Sequence, residues 1–129
     1  MTSFADPSKW LDVRFVLCDL DGVVWLARQP IVGAVDAVAR LRASGRRVLF
    51  VTNNSMSVAA DQEAALDAIG IPATGDVVTS AQAGASLVEP GETVLVCGGP
   101  GLVEAVEARG AIVIRAGAAD AVVVGLHHD

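Results

Sequence analysis

The stretch Arg14-Phe15-Val16-Leu17-Cys18-Asp19-Leu20-Asp21-Gly22-Val23-Val24-Trp25 decides how the chain is read. Its apolar run, Phe15 to Cys18, is long enough for one buried strand, and it stops at two carboxylates one residue apart with a glycine behind them. In an open α/β sheet, ligands bind in the crevice beyond the carboxyl ends of the strands, so acids placed there are candidates for chemistry. The same residues also suit a solvated turn, because Asp and Gly are ordinary turn formers.

Working outward, Ala34 to Arg42 places Val35, Val38 and Leu41 on one helical face and stops at Ser44-Gly45. Arg47 to Val51 is a second buried strand, ending in Thr52-Asn53-Asn54-Ser55. Strand, helix, strand in this order predicts a right-handed crossover with parallel strands, which puts Asp19 and Thr52 on one sheet edge. Val23 to Ile31, with Pro30 inside it, reads as an irregular or hairpin excursion. A helix from about Ser57 (as cap) to Ile69 follows, then strand Val77–Thr79 and a helix from Ser80 to Val88. After Glu89-Pro90-Gly91, the candidate boundary, come strand Thr93–Cys97, helix Gly101–Arg109 and strands Ala111–Ile114 and Ala121–Val124. Residues 1 to 12 read as a frayed lead-in from which Trp10 and Leu11 fold back onto the body.

The 129 residues fit one modest domain. A hydrophobic share of 53% with 19% charged excludes wholesale disorder and favours parallel strands covered on both faces. A net charge of −6 argues against a nucleic-acid partner. An anionic substrate is compatible with it where a metal supplies positive charge. Cys18 and Cys97 both lie in apolar runs, and Asp6, Pro7 and Lys9 stand where a secretory signal would be apolar. The expected setting is the reducing cytoplasm, with no membrane span.

Two carboxylates at a strand end can divide labour, Asp19 as nucleophile or metal ligand and Asp21 as acid and base. Aspartate is a weak nucleophile, so it suits a reaction dominated by charge on the electrophile, and phosphoryl transfer is one. Mg²⁺ held by one or both carboxylates would reduce the repulsion between Asp19 and a phosphate dianion. Thr52 offers a hydroxyl and a backbone N–H to phosphoryl oxygens, and Asn53 adds donors.

With these residues in place, Asp19-Leu20-Asp21-Gly22-Val23-Val24-Trp25 resembles the first motif of the haloacid dehalogenase superfamily and Thr52-Asn53-Asn54-Ser55 its second. Together with Pro30-Ile31-Val32-Gly33-Ala34 and Val78-Thr79-Ser80-Ala81, they are similar to its capped phosphatases of nitrophenyl phosphate, phosphoglycolate, glycerol phosphate and sugar phosphates. The resemblance implies an α/β fold: a Rossmann-like three-layer core with a parallel sheet, partial over residues 1–90, followed by the start of a truncated α/β cap at 91–129. It implies that Asp19 forms an aspartyl-phosphate and that Asp21 is the acid and base. It further implies that Leu20, Asp21, Thr52 and Asn53 hold the phosphoryl group, that Asp19 and Asp21 bind Mg²⁺, and that the substrate is a small phosphorylated metabolite.

Two parts of that pattern are missing. The superfamily's third motif carries a basic residue, usually lysine, and its fourth a Gly-Asp with further acids. Here Lys9 is the only lysine, and Gly75-Asp76 lies before the third strand, too early for the fourth motif. Losing one preorganised charge clamp costs on the order of 10² to 10³ in rate. Phosphate monoester hydrolysis needs accelerations up to roughly 10²¹. The chain alone is therefore expected to be feeble or inactive: the amino-terminal half of a phosphatase, as a fragment, a truncated or split gene product, or a chain whose remainder comes from another chain, with a homodimer or a completing chain as the expected partner. The alternative is a catalytically inactive Rossmann-like module used for binding or dimerisation.

Other features have plainer readings. Cys18 and Cys97 are core thiols, and Gly98-Gly99-Pro100-Gly101 is a strand-to-helix turn without the spacing of a phosphate loop. His127-His128-Asp129 is a frayed tail, and Arg40, Arg42, Arg46 and Arg47 mark the solvated end of the first helix. Trp25 either shapes the mouth of the site or packs beneath the flap.

Overall fold

A computed structural model of the chain describes residues 7–127. It contains two three-stranded parallel sheets joined in series, each with helices packed on one face. The first has the order β1-β4-β5, with β1 at Phe15–Asp19, β4 at Arg47–Thr52 and β5 at Val77–Thr79. Between β1 and β4 lie a short hairpin, β2 (Trp25–Leu26) and β3 (Gln29–Pro30), and helix α1 (Ala34–Ala43). Helix α2 (Ala59–Ala68) connects β4 to β5. The second sheet has the order β7-β6-β8, from Thr93–Cys97 (β6), Ile112–Ile114 (β7) and Ala121–Val124 (β8), served by α3 (Ser80–Ala85) and α4 (Pro100–Ala108).

The crossover through α1 makes β1 and β4 parallel, in a register that pairs Asp19 with Val51. Alternation along the strands then sorts the side chains. Val48, Phe50 and Val77 point into one core with Val38 of α1, Leu66 of α2 and the hairpin's Val24 and Trp25. The opposite face carries Phe15, Leu17 and Val78, which are 58%, 68% and 42% exposed, with Leu49 and Val51 half-buried among them. The second sheet repeats this arrangement. Val94 and Val96 pack against Ala85, Leu102 and Val106, while Ile112, Val122 and Val124 lie exposed. Two-sided cover is thus not present among the described residues, because both helices of each sheet lie on the same side.

The helix α3 core extends back across the Pro90-Gly91 turn: Ala81, Ala85 and Val88 belong to the second cluster. Thr79 caps α3 with a reciprocal capping box, its Oγ1 accepting from the Gln82 amide while Gln82 Oε1 accepts from the Thr79 amide. Helix α3 ends at Ala85, short of Val88, as Val88 N–H turns back to the Ala85 carbonyl. Helix α2 is capped at Val58 and not at Ser57, whose amide donates instead to Asn54 Oδ1.

The arginines also depart from expectation. Arg42 and Arg47 both reach Asp76, at 3.3 and 3.1 Å, and so tie α1 and β4 to the loop entering β5. Arg46 donates to the Trp10 carbonyl at 2.7 Å, which fastens the 3-10 turn Pro7–Trp10, while Leu11 remains largely exposed. Cys97 is exposed, since it closes β6 at the sheet edge. Residues 1–6 of the lead-in, and His128 and Asp129 of the tail, lie outside the described residues.

Candidate active site

The carboxyl edge of the first sheet forms a cleft of about 440 Å³ lined by Asp19, Val51, Thr52, Asn53, Val78 and Ser80. Asp19 is the last residue of β1, and its Oδ1 accepts the N–H of Leu20 at 2.9 Å. Among the described residues, that bond is the only one to its carboxylate, so Oδ2 is unclaimed. Leu20 buries its side chain completely, and its carbonyl collects the amides of Val23, Val24 and Trp25. It can face a phosphoryl group only through its main chain. The chain then turns at Gly22, whose φ of 86° lies in the left-handed region that glycine tolerates.

Asp21, past that bend, is exposed, and its Oδ1 accepts the indole Nε1–H of Trp25 at 3.0 Å. The turn's backbone bonds run to the carbonyls of Leu20 and Trp25, and among the described residues none runs to the Asp21 carbonyl. Thr52 is buried at the end of β4, where its Oγ1 accepts from the Asn54 amide at 3.1 Å. Its hydroxyl proton is therefore the group it can give to a ligand. Asn53 is exposed beside it, with its carbonyl held by Ser80 Oγ at 2.9 Å. Ser80, which the sequence marks only as part of the resemblance and as a helix start, was not expected at the site. It enters because the β4–β5 pairing of Thr52 with Thr79 brings the start of α3 to the same edge.

Cys18 sits one residue before the nucleophile candidate. Burial, and then the charge of Asp19, push its thiol above the ordinary range, the opposite of what activates a cysteine. The Gly98–Gly101 segment is a strand-to-helix turn with Pro100 at the first helical position. Its glycines serve backbone contact. Gly101 N–H donates to the Met56 carbonyl at 2.7 Å, Gly99 N–H to the Leu126 carbonyl at 3.1 Å, and Leu126 N–H to Ser55 Oγ at 2.8 Å. A wider cleft over α4, about 670 Å³, is lined by Glu104, Glu107, Arg115 and the exposed His127. It has no carboxylate pair at a strand end and an acidic wall, which suits phosphate poorly.

Of the two aspartates expected to hold a divalent cation, Asp19 lines the first cleft with its free Oδ2, an oxygen donor of the kind Mg²⁺ takes, whereas Asp21 is not among the residues lining it. Among the described residues no group of three or more His, Cys, Asp or Glu side chains converges. At this cleft Asp19 offers one free carboxylate oxygen, so a hydrated ion there would need its remaining positions filled by water, substrate or other protein groups.

A sequence model of the haloacid dehalogenase-like hydrolases matches residues 16–112. The chain belongs to this family. This haloacid dehalogenase-like chain is 44% identical over 118 residues to D-glycerol 3-phosphate phosphatase of Mycobacterium tuberculosis, a match covering 86% of the chain and 33% of that protein. It is 39% identical over 114 residues to the acid sugar phosphatase of Staphylococcus saprophyticus, covering 85% and 44%. The fold agrees with the crystal structure of the mycobacterial glycerol phosphate phosphatase in complex with magnesium, at a TM-score of 0.79 and 40% identity over 88% of this chain and 36% of that one. It also agrees with a p-nitrophenyl phosphatase from Archaeoglobus fulgidus, at a TM-score of 0.74 and 25% identity, covering 80% and 41%. The chain thus spans between a third and half of the length of these relatives.

Proposed function

We propose that the chain is the amino-terminal portion of an Mg²⁺-dependent phosphatase of small phosphorylated metabolites, acting through an aspartyl-phosphate on Asp19 with Asp21 as acid and base. The observation that carries this reading is the meeting of Asp19 with Thr52 and Asn53 in one cleft, from two parallel strands, in a chain whose relatives are phosphatases. Asp19 attacks phosphorus and the bond to the leaving oxygen breaks, with Asp21 giving that oxygen its proton. Water, losing a proton to Asp21, then attacks phosphorus and frees Asp19. Leu20 and Asp21, through their main chain, and Thr52 and Asn53 hold the phosphoryl oxygens. Mg²⁺ held by Asp19 and the Asp21 carbonyl would neutralise phosphoryl charge.

Within this reading, residues up to about 90 belong to the catalytic core and those from 91 begin a cap over the leaving group. The thiols of Cys18 and Cys97 are both free, which suits a cytoplasmic enzyme. No helix among the described residues is long and apolar enough to cross a membrane. Without the lysine and Gly-Asp motifs the chain is weak or inactive by itself and needs a completing chain.

The exposed apolar faces of the two sheets favour a second reading, an inactive module that binds a second copy or another polypeptide through them. Incubation with p-nitrophenyl phosphate and Mg²⁺, followed by intact-mass and peptide analysis, separates the two. The phosphatase reading expects one phosphoryl group on Asp19 and none in Asp19→Asn. A chain that takes no phosphoryl group and binds neither Mg²⁺ nor beryllofluoride leaves only the second.

A further inference from the structure

Trp25 is 2% exposed, yet its one polar atom points to an exposed carboxylate and not to a backbone carbonyl. A buried indole N–H needs a partner, and here that partner is the candidate acid and base. The relation is equally one-sided from the other end. Among the described residues, the indole is the only group hydrogen-bonded to the Asp21 carboxylate, so it alone sets the direction of that side chain.

The residue that carries the ring is itself held by its backbone, its hairpin partner and one neighbouring cation. Its amide donates to the Leu20 carbonyl at 3.1 Å and its carbonyl accepts from Gly22 at 2.7 Å, which locks Trp25 to the same turn that carries Asp21. Across the hairpin it pairs with Pro30. The hairpin closes through Ala27 and Arg28 at φ of 47° and 64°, conformations that cost non-glycine residues free energy. That closure sets the Arg28 guanidinium 5.9 Å from the centre of the Trp25 ring, within reach of a cation–π contact.

We propose that Trp25 is the positioning residue for Asp21: its indole holds Oδ1, so that Oδ2 is the oxygen that gives a proton to the leaving group and takes one from water. The proposal rests on the phosphatase reading. In the first step the bond from Asp19 oxygen to phosphorus forms, the bond from phosphorus to the leaving oxygen breaks, and the Oδ2 proton passes to that oxygen. In the second, the bond from water to phosphorus forms, the aspartyl-phosphate bond breaks, and a water proton returns to Oδ2. A carboxyl free to rotate would be misplaced for both.

Trp25→Phe keeps a ring in the core and removes the donor. Phosphorylation of Asp19 by an alkyl ester such as glycerol phosphate should slow on the order of 10²-fold, with KM unchanged. Phosphorylation by p-nitrophenyl phosphate, whose leaving group needs little protonation, should slow far less. Equal slowing with both esters makes Trp25 merely structural and overturns the proposal. A second measurement is independent of turnover and of whether that variant folds. In ¹H–¹⁵N spectra, Asp21→Ala, a change at an exposed site, should shift the Trp25 indole resonance and hasten its exchange while leaving that of Trp10 alone. An unmoved Trp25 resonance overturns the hold. If the unsubstituted chain takes no phosphoryl group from either ester and binds neither Mg²⁺ nor beryllofluoride, the phosphatase reading fails, and with it the catalytic use of the contact. The resonance still decides whether the indole holds the carboxyl.

Discussion

Gly101 lies so near Ser57 that a Cβ built on it would run into the Ser57 carbonyl oxygen. The obstacle is backbone on both sides, and the Gly101 amide is already bonded to Met56. Neither side can yield without moving α4 or the loop after β4.

Gly101→Ala is accordingly expected to destabilise the chain by about 1–3 kcal/mol, as overpacking does, seen as a lower urea midpoint. The neighbouring Gly99 is a useful contrast, because its added Cβ would first meet the flexible Met56 side chain at 2.7 Å. Gly99→Ala should cost less. Equal midpoints for Gly101→Ala and the unsubstituted chain would refute the close approach.

Asp19→Asn should leave stability within about 0.5 kcal/mol, since the residue is exposed and an amide oxygen can still accept the Leu20 N–H. The same variant should lose all phosphoenzyme, and chelation of Mg²⁺ from the unsubstituted chain should do likewise. Intact mass after incubation with p-nitrophenyl phosphate reads both.

Thr79→Ala removes one half of the capping box and is expected to cost about 1 kcal/mol, with Thr79→Ser recovering most of it. Thermal melts of the three chains check this. A neutral alanine would mean that α3 is held by its packing against α4 alone.

Cys18 carries a pH signature. Its folded-state thiol is raised, so the unfolded chain releases this proton first as pH climbs. The contribution to stability is complete below the ordinary thiol range and is lost as pH rises from there through the folded value. Asp19→Asn removes one of the two causes and should bring Cys18 alkylation by iodoacetamide to lower pH. A pH–rate profile that is identical in the two chains would exclude any influence of the Asp19 charge.

The sequence was most legible where period and punctuation agree. Phe15 to Cys18 and Arg47 to Val51 are short apolar runs flanking an amphipathic helix, so their parallel pairing and the shared edge of Asp19 and Thr52 follow from handedness alone. Contacts without a period were not legible. Trp25 meets Asp21 across a bend whose shape depends on Gly22 and the hairpin, and Ser80 reaches Asn53 only through the β4–β5 register. Arg42 and Arg47 read as solvated because nothing local announces Asp76, some thirty residues further on. Two-sided burial was expected from composition, but composition does not say on which face the helices fall.

The second sheet is fastened at Ser55, Met56 and Gly101, and among the described residues none of these bonds runs to the Asp19–Asp21 turn. In mechanical terms, the loop after β4 is a fulcrum. Two residues separate the buried Thr52 from the anchoring Ser55, so the second sheet is hung from the strand that ends in Thr52 and not from the one that ends in Asp19.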